Sequence, residues 1–553
     1  MLSLCRKHLF LRILFCTVTF GCLLHTEVIA DPASLLSNGD FEASHDGSKP
    51  DDWPIGANIL WQSEGQNHFL RLKSPAPGAN VTAYRAVTLQ PGVQALELSY
   101  RVRFEGIKRG KESWYDGRIM LNFKDAAGKV VQPSPSHPNF TGSSSEWKQR
   151  SQQFKVPAGA AKLELIFALF NAESGQIDFD DVRLVAIPAS VVDAAEAAAR
   201  TKEAARIAAL PKPAPQVPVP EASALPPPLH VEGNQLKTPD GKAVWLQGLA
   251  VPSMEWSAGG ENVLKSIETG ITGWKANCIR LCLGSKFYEG HGPWQNDGGL
   301  KYRQLVEDAV NLCGGHGAYI VLDLHEYRAP TEQHAAFWKV VAEHYKNQPA
   351  VIFELLNEPH DISWEIWQKG GQVTDQKSKT DAAAENQDSL STFRSIGMQG
   401  LVDAIRSTGA RNLIIAGGLD WGYDLSGITA GHALSDEHGN GIMYSSHVYP
   451  WKRDWQGKFL DAAAQYPVFV GEVGADSKPM DFIPLKAQED PATWVPDMLG
   501  VIQKYKLNWT AWSFHPSANP RVLLDWNYTP TPFWGEHVKA ALSGREYTVS
   551  KLR

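Results

Sequence analysis

Two stretches of the chain deliver acids directly off apolar runs. "VIFELLNEPH" (351–360) ends in Asn357 and Glu358, and "PVFVGEVGAD" (467–476) carries Glu472. Two carboxyls brought to one place can divide the work of cleaving a glycosidic bond. One stays protonated and assists the leaving oxygen; the other is ionised and attacks the anomeric carbon. A separation of about 5 to 5.5 Å leaves no room for water between carboxylate and sugar, so such a pair implies retention of configuration. Other polar groups end or interrupt apolar runs in the same way: Arg280 in "NCIRLCL", His325 after "AYIVLDL", His447 and Tyr449 in "IMYSSHVY", and Trp512 in "NWTAWSF". Arg280, His447 and Tyr449 are donors able to keep Glu472 ionised, whereas Glu358 beside neutral Asn357 holds its proton more easily. Singly, a strand-end glutamate is often only solvated, and a lone histidine is more often a satisfied structural group.

The elements that would gather these residues follow residue 230. Eight apolar runs, "VWLQGL", "NCIRLCL", "AYIVLDLH", "VIFELLN", "NLIIAG", "IMYSSHVY", "PVFVGEV" and "NWTAWSF", alternate with segments whose apolar residues recur at helical spacing. "YRQLVEDAVNLCGGHG", "EQHAAFWKVVAEHY" and "DSLSTFRSIGMQGLVDAIRSTG" are examples. Eight βα units over this length predict a (β/α)8 barrel, in which the carboxyl ends of the strands meet at one mouth. Six of the eight runs then contribute a polar or aromatic group there.

On "LLNEPH", "FVGEVGAD", "DLHE", "SSHVYP" and "TAWSFHP", residues 231–553 resemble a family 5 glycoside hydrolase, a retaining (β/α)8 enzyme with its acids on strands four and seven. The resemblance implies that Glu358 is the acid/base, Glu472 the nucleophile and Asn357 the partner of the sugar 2-hydroxyl. It further implies that Arg280, His325, His447 and Tyr449 surround the reacting sugar and that Trp512 is a platform beneath it. No cofactor is implied for catalysis. Two insertions depart from the pattern. The polar loop 361–387, with Trp364 and Trp367 near its start, is long enough to cover part of a cleft. The stretch "GSKFYEGHGPWQNDG" adds Tyr288 and Trp294, as sugar platforms or as loop packing.

Ahead of the barrel, residues 1–30 combine Arg6, Lys7 and Arg12, the apolar run "ILFCTVTFGCLL" and "VIA" before Asp31. This matches a cleaved secretory signal, too short in its apolar run for a retained span, and places the protein outside the cell or in a bacterial envelope. Residues 31–188 hold alternating stretches such as "ALELSYRVRF" and "KLELIFALF" between turn clusters, as in a β-sandwich. Their two ends resemble jelly-roll carbohydrate-binding modules, a likeness implying that Glu42 and Asp181 hold a structural calcium, a hard cation that takes oxygen ligands. Residues 189–230 change composition, from an Ala-rich helical stretch to "PKPAPQVPVPEASALPPP", extended because proline fixes φ and supplies no donor, and read as a spacer.

After signal removal Cys278, Cys282 and Cys313 remain, an odd and sparse set that reads as small core residues rather than a disulfide framework. With 53 basic against 60 acidic residues the net charge is −7, which attracts neither nucleic acid nor anionic lipid, and no later run is long enough to span a membrane. A neutral partner fits, and 19 tryptophans suit stacking on sugar C–H faces as well as core packing. The expected activity is an endo-β-1,4-glucanase on a β-linked polysaccharide, with β-mannan or β-1,3-glucan as alternative substrates. A noncatalytic polysaccharide-binding protein is the reading from another class.

Overall fold

The computed structural model describes residues 33–374, 392–481 and 483–553. The signal-like stretch 1–30 and the latter part of the polar loop lie outside the described residues. The chain divides into two compact units, one ending at Arg206 and the other beginning at Ile207.

The first unit is all β apart from its closing helix. Alternation of apolar and polar residues gives each strand one buried face, and the two buried faces pack together. One antiparallel sheet runs in the order Ile59–Glu64, Asn67–Lys73, Ser174–Ile187, Ala95–Lys108, Gly142–Lys155. Ala79–Thr88, Lys162–Ala172 and Gly117–Lys124 lead the other. Leu70, Leu98, Val102 and Phe179 from the first meet Leu121, Leu165 and Phe167 from the second. The Ala-rich segment forms the helix Ala189–Ala208, of which only Val192 is buried.

In the second unit eight parallel strands close a barrel: Gln247–Val251, Cys278–Leu283, Tyr319–Leu324, Val351–Glu354, Ile414–Gly417, Ile442–Val448, Val468–Val473 and Asn508–Ala511. All eight lie in or overlap the expected runs. The first begins later than its run, because Ala243–Val244 instead pairs with Gln235–Lys237 in a small antiparallel sheet. Leu229, Leu236 and Leu246 pack with Cys278, Val321, Ile352 and Phe469, filling the barrel at the amino ends of its strands. Strand periodicity then decides which groups reach the site. Ile279, Leu281 and Leu283 join the cluster with the helices, so Cys278, Arg280 and Cys282 point to the axis.

Helices form at Leu300–Gly315 and Glu332–Tyr345, the latter capped by Thr331, whose side chain accepts from the His334 amide. The third expected helical stretch differs. Thr392–Ser395 pairs with Gly371–Thr374 as a β-ribbon, and the helix is confined to Gly397–Arg406. β-branched and aromatic residues at the start of that stretch favour the ribbon. The proline-rich stretch lies against the barrel: the amides of Gln216 and Val217 donate to Asp308 at 3.0 and 3.2 Å, and the Tyr319 hydroxyl donates to the Pro227 carbonyl at 2.8 Å. Few of its groups need a donor or acceptor, and these side chains supply them.

Candidate active site

At the carboxyl ends of the strands, Arg280 is the hub. Its guanidinium is wholly buried and reaches four oxygens: Glu354 at 2.6 Å, Glu472 at 2.9 Å, Asn357 at 2.6 Å and Asp323 at 3.0 Å. Only a planar fork with several donors serves so many acceptors at once, and leaving any of them uncompensated in so dry a place is costly. Glu472 has one oxygen on Arg280; the other accepts from the Tyr449 hydroxyl at 2.6 Å. His447, opposite Glu472 in strand register, puts Nδ1 3.7 Å from Glu472 Oε2 and 3.0 Å from Glu358 Oε1. A carboxyl oxygen of Glu358, one of Glu472 and a ring nitrogen of His447 all lie within 4.8 Å of one another.

Burial pushes the Glu472 carboxyl up, but His447, Arg280, His325 and the Tyr449 hydroxyl outweigh it and bring the group down to about 2. These partners favour its anionic form. Asn357 turns its oxygen to Arg280, which leaves its buried amide nitrogen without a partner. That group is a donor ready for a ligand oxygen.

His325 lies with its ring nearly parallel to Trp512, centroids 5.5 Å apart and planes at 11°. Both of its nitrogens face carboxylates, Nδ1 to Asp323 at 2.6 Å and Nε2 to Glu255 at 3.5 Å. Burial lowers its pKa, yet Glu255 first and then Cys282, Tyr327 and Asp323 raise it well above the ordinary value. Trp512 packs on Ala250 and Cys282 and donates its indole N–H to the Asn519 carbonyl at 3.1 Å.

The structure thus brings Arg280, His325, Asn357, Glu358, His447, Tyr449, Glu472 and Trp512 into one connected network. Four further members escaped the sequence reading. Asp323 and Glu354 are wholly buried, and each was visible as a lone charge inside an apolar run. Glu255 follows the first strand in a loop with no pattern to flag it. Trp421 follows the fifth. Its backbone and that of Asp420 sit at φ 61° and 56°, a region costing about 1–3 kcal/mol for such residues. Its ring stacks on His360 at 3.6 Å between centroids.

The inserted aromatics separate. Tyr288 is buried against Tyr302 and Phe337, and Trp367 is wholly buried with its N–H on the Gly417 carbonyl. Trp364 packs on Trp367 and His432. These three rings are packing, whereas Trp294 is 99% exposed. Among the described residues the cysteines Cys278, Cys282 and Cys313 are free and buried.

Among the described residues, Cys282, Asp323 and His325 also have converging ligand atoms. Arg280, at 3.0 Å from Asp323 and 3.8 Å from the Cys282 sulfur, competes with any cation there, as it does at Glu472. In the first unit Glu42 accepts from the His68 amide and pairs with its ring, while Asp181 pairs with Arg101 at 2.8 Å. Each carboxylate already has a basic partner. No helix among the described residues is long and apolar enough to cross a membrane.

Residues 238–518, just over half of the chain, match the family described as cellulase (glycosyl hydrolase family 5). Endoglucanase MaCel5A of Microbulbifer sp. (strain ALW1) is 22% identical over 327 residues, covering 56% of this chain and 55% of that protein. An endoglucanase of Paenibacillus polymyxa is 24% identical over 380 residues, covering 57% of this chain and 88% of that one. The chain thus spans little more than half the length of the first of these relatives. Among solved structures, the β-glucanase SdGluc5_26A of Saccharophagus degradans aligns at 22% identity and a TM-score of 0.46, over 61% of this chain and 98% of that one.

Proposed function

The chain belongs to glycosyl hydrolase family 5, the cellulase family, and from that premise we propose that it is a secreted, retaining endo-β-1,4-glucanase in which Glu358 is the acid/base and Glu472 the nucleophile. One observation carries the reading: carboxyl oxygens of the two glutamates stand within 4.8 Å, with only one of the two acids tied to a guanidinium. That closeness suits direct attack on a sugar, since about 6.5–9.5 Å is needed to admit water between the carboxyls. Asymmetry between the acids suits the division of roles. Glu472 is fixed as an anion by Arg280, His447 and Tyr449, while the nearest polar side chain to Glu358 is a histidine able to pass a proton.

The relatives' printed names, endoglucanase in both, support a glucan over β-mannan, and the family's printed name, cellulase, supports the β-1,4 linkage over β-1,3. Export rests on the signal-like residues 1–30. The sandwich is proposed to hold the enzyme near polysaccharide, raising local concentration without altering chemistry. Calcium at Glu42 and Asp181 is proposed with it and requires His68 and Arg101 to yield; a melting temperature of the full chain unchanged by calcium or chelator rejects that part.

The deciding experiment is turnover of Glu472→Ala on a panel of β-1,4-glucan, β-mannan and β-1,3-glucan. A catalyst loses several orders of magnitude while binding persists. Unchanged hydrolysis rejects the assignment, and absence of hydrolysis by the parent protein on every substrate favours the binding-protein reading.

A further inference from the structure

Behind the nucleophile lies a second layer of polar groups. Glu354 is wholly buried on the fourth strand, four residues before Glu358. Its Oε2 accepts from Arg280 Nε at 2.6 Å, and its Oε1 is buried without a hydrogen-bond partner. Two other buried polar atoms share that condition, Ser445 Oγ and His447 Nε2. The three gather at the side of Gly471, the residue before the nucleophile. A Cβ on Gly471 would stand 2.5 Å from Ser445 Oγ, 3.0 Å from His447 Nε2 and 3.3 Å from Glu354 Oε1. Gly471 therefore keeps a small polar gap open among strands four, six and seven, and each orphaned atom costs about 1–3 kcal/mol unless the others satisfy it.

We propose that Glu354 is a positioning residue for the nucleophile, holding Arg280 directly and His447 across the gap beside Gly471, with the Ser445 hydroxyl completing the link. The inference deepens the reading above and rests on it. With Nδ1 facing Glu358 and Glu472 and Nε2 at the gap shared with Glu354 and Ser445, the His447 ring is fixed in orientation from both sides. The other ionisable groups packed against Glu354 are Arg280, Asp323 and Cys278. Arg280 already counters the carboxylates, so the side of Glu354 facing His447 is the side left to act. Two of the four groups that draw Glu472 down, His447 and Arg280, thus lean on one buried carboxyl.

The sign follows. Without the Glu354 carboxylate Arg280 loses one of its anchors beside Glu472 and the His447 ring loses one wall of its gap, so the donors that face Glu472 are held less well and its carboxyl titrates at higher pH. Glu354→Gln is expected to move the acid limb of kcat/KM upward by about one pH unit and to lower kcat at least about tenfold with little change in KM. Ser445→Ala, which removes one hydroxyl, and Gly471→Ala, which fills the gap, are expected to move the limb in the same direction, and they keep the test open if Glu354→Gln does not fold. A purely structural role lowers the melting temperature and leaves the limb in place. Folded variants whose acid limbs coincide with the parent's overturn the proposal. If Glu472→Ala abolishes turnover while the limbs stay put, only this inference fails; if Glu472→Ala retains turnover, both fall.

Discussion

Replacing Tyr449 by Phe tests how Glu472 is kept an anion. The hydroxyl donates to Glu472 Oε2 at 2.6 Å and both groups are buried, so nothing takes its place when it is removed. A hydrogen bond to a charged acceptor contributes about 1.5–3 kcal/mol, which at 1.36 kcal/mol per unit is roughly one to two units of pKa. Glu472 stands at about 2 against an ordinary 4.5, with burial opposing His447, Arg280, His325 and Tyr449. The variant should therefore titrate one to two units higher. As the proposed nucleophile Glu472 attacks only when ionised, so the acid limb of kcat/KM is expected to move up by that amount. Stability follows the same linkage. A carboxyl whose folded pKa lies below its unfolded value stabilises above about 4.5, and that contribution is lost as pH falls toward 2. Tyr449→Phe should melt lower at pH 7, and the gap should narrow as the solution is acidified. Initial rates on a soluble β-glucan between about pH 1.5 and 8, with melting curves at the same pH values, provide the assay. A folded variant whose acid limb matches the parent's refutes the reasoning.

As the proposed sugar platform, Trp512, whose ring lies parallel to His325, should on loss of that ring raise KM on a soluble β-glucan by about tenfold while the melting temperature changes modestly; initial-rate kinetics check this. Glu255 is the leading cause of the raised His325 pKa, so Glu255→Gln should let that histidine deprotonate at lower pH and move the basic limb of activity downward, read from the same pH profiles. Arg553 has its side chain buried against Asp497 and over the Trp455 ring. Arg553→Ala leaves Asp497 with only the amides of Ser550 and Lys551 as donors, and a loss of about 1–3 kcal/mol is expected, visible in chemical denaturation.

The barrel was legible in the sequence because all of its strands are short apolar runs separated by helical spacing, and six of the eight carry a polar or aromatic group toward the mouth. Glu358, Glu472 and His447 stood out as breaks in those runs. Glu354 breaks a run equally, but a buried charge closing a strand has no meaning until a strand two places away in the barrel supplies Arg280. Glu255 and Trp421 were hidden for another reason: they sit on loops, where backbone conformation and not periodicity sets position, and the left-handed φ of Trp421 leaves no mark on composition. The ribbon at Thr392–Ser395 was misread as helix because its pairing partner, Gly371–Thr374, is distant in sequence. Tyr288, Trp364 and Trp367 show that an aromatic residue in an insertion is as readily packing as platform.

The central claim is that Glu472 bonds to the sugar while Glu358 handles the proton. Trapping with an activated 2-deoxy-2-fluoro-β-cellobioside, followed by mass analysis of peptides, tests it most directly. The account predicts one cellobiosyl adduct on the peptide bearing Glu472, slow to hydrolyse, with activity lost in proportion. An adduct on Glu358, or inactivation with no sugar on either glutamate, would contradict it.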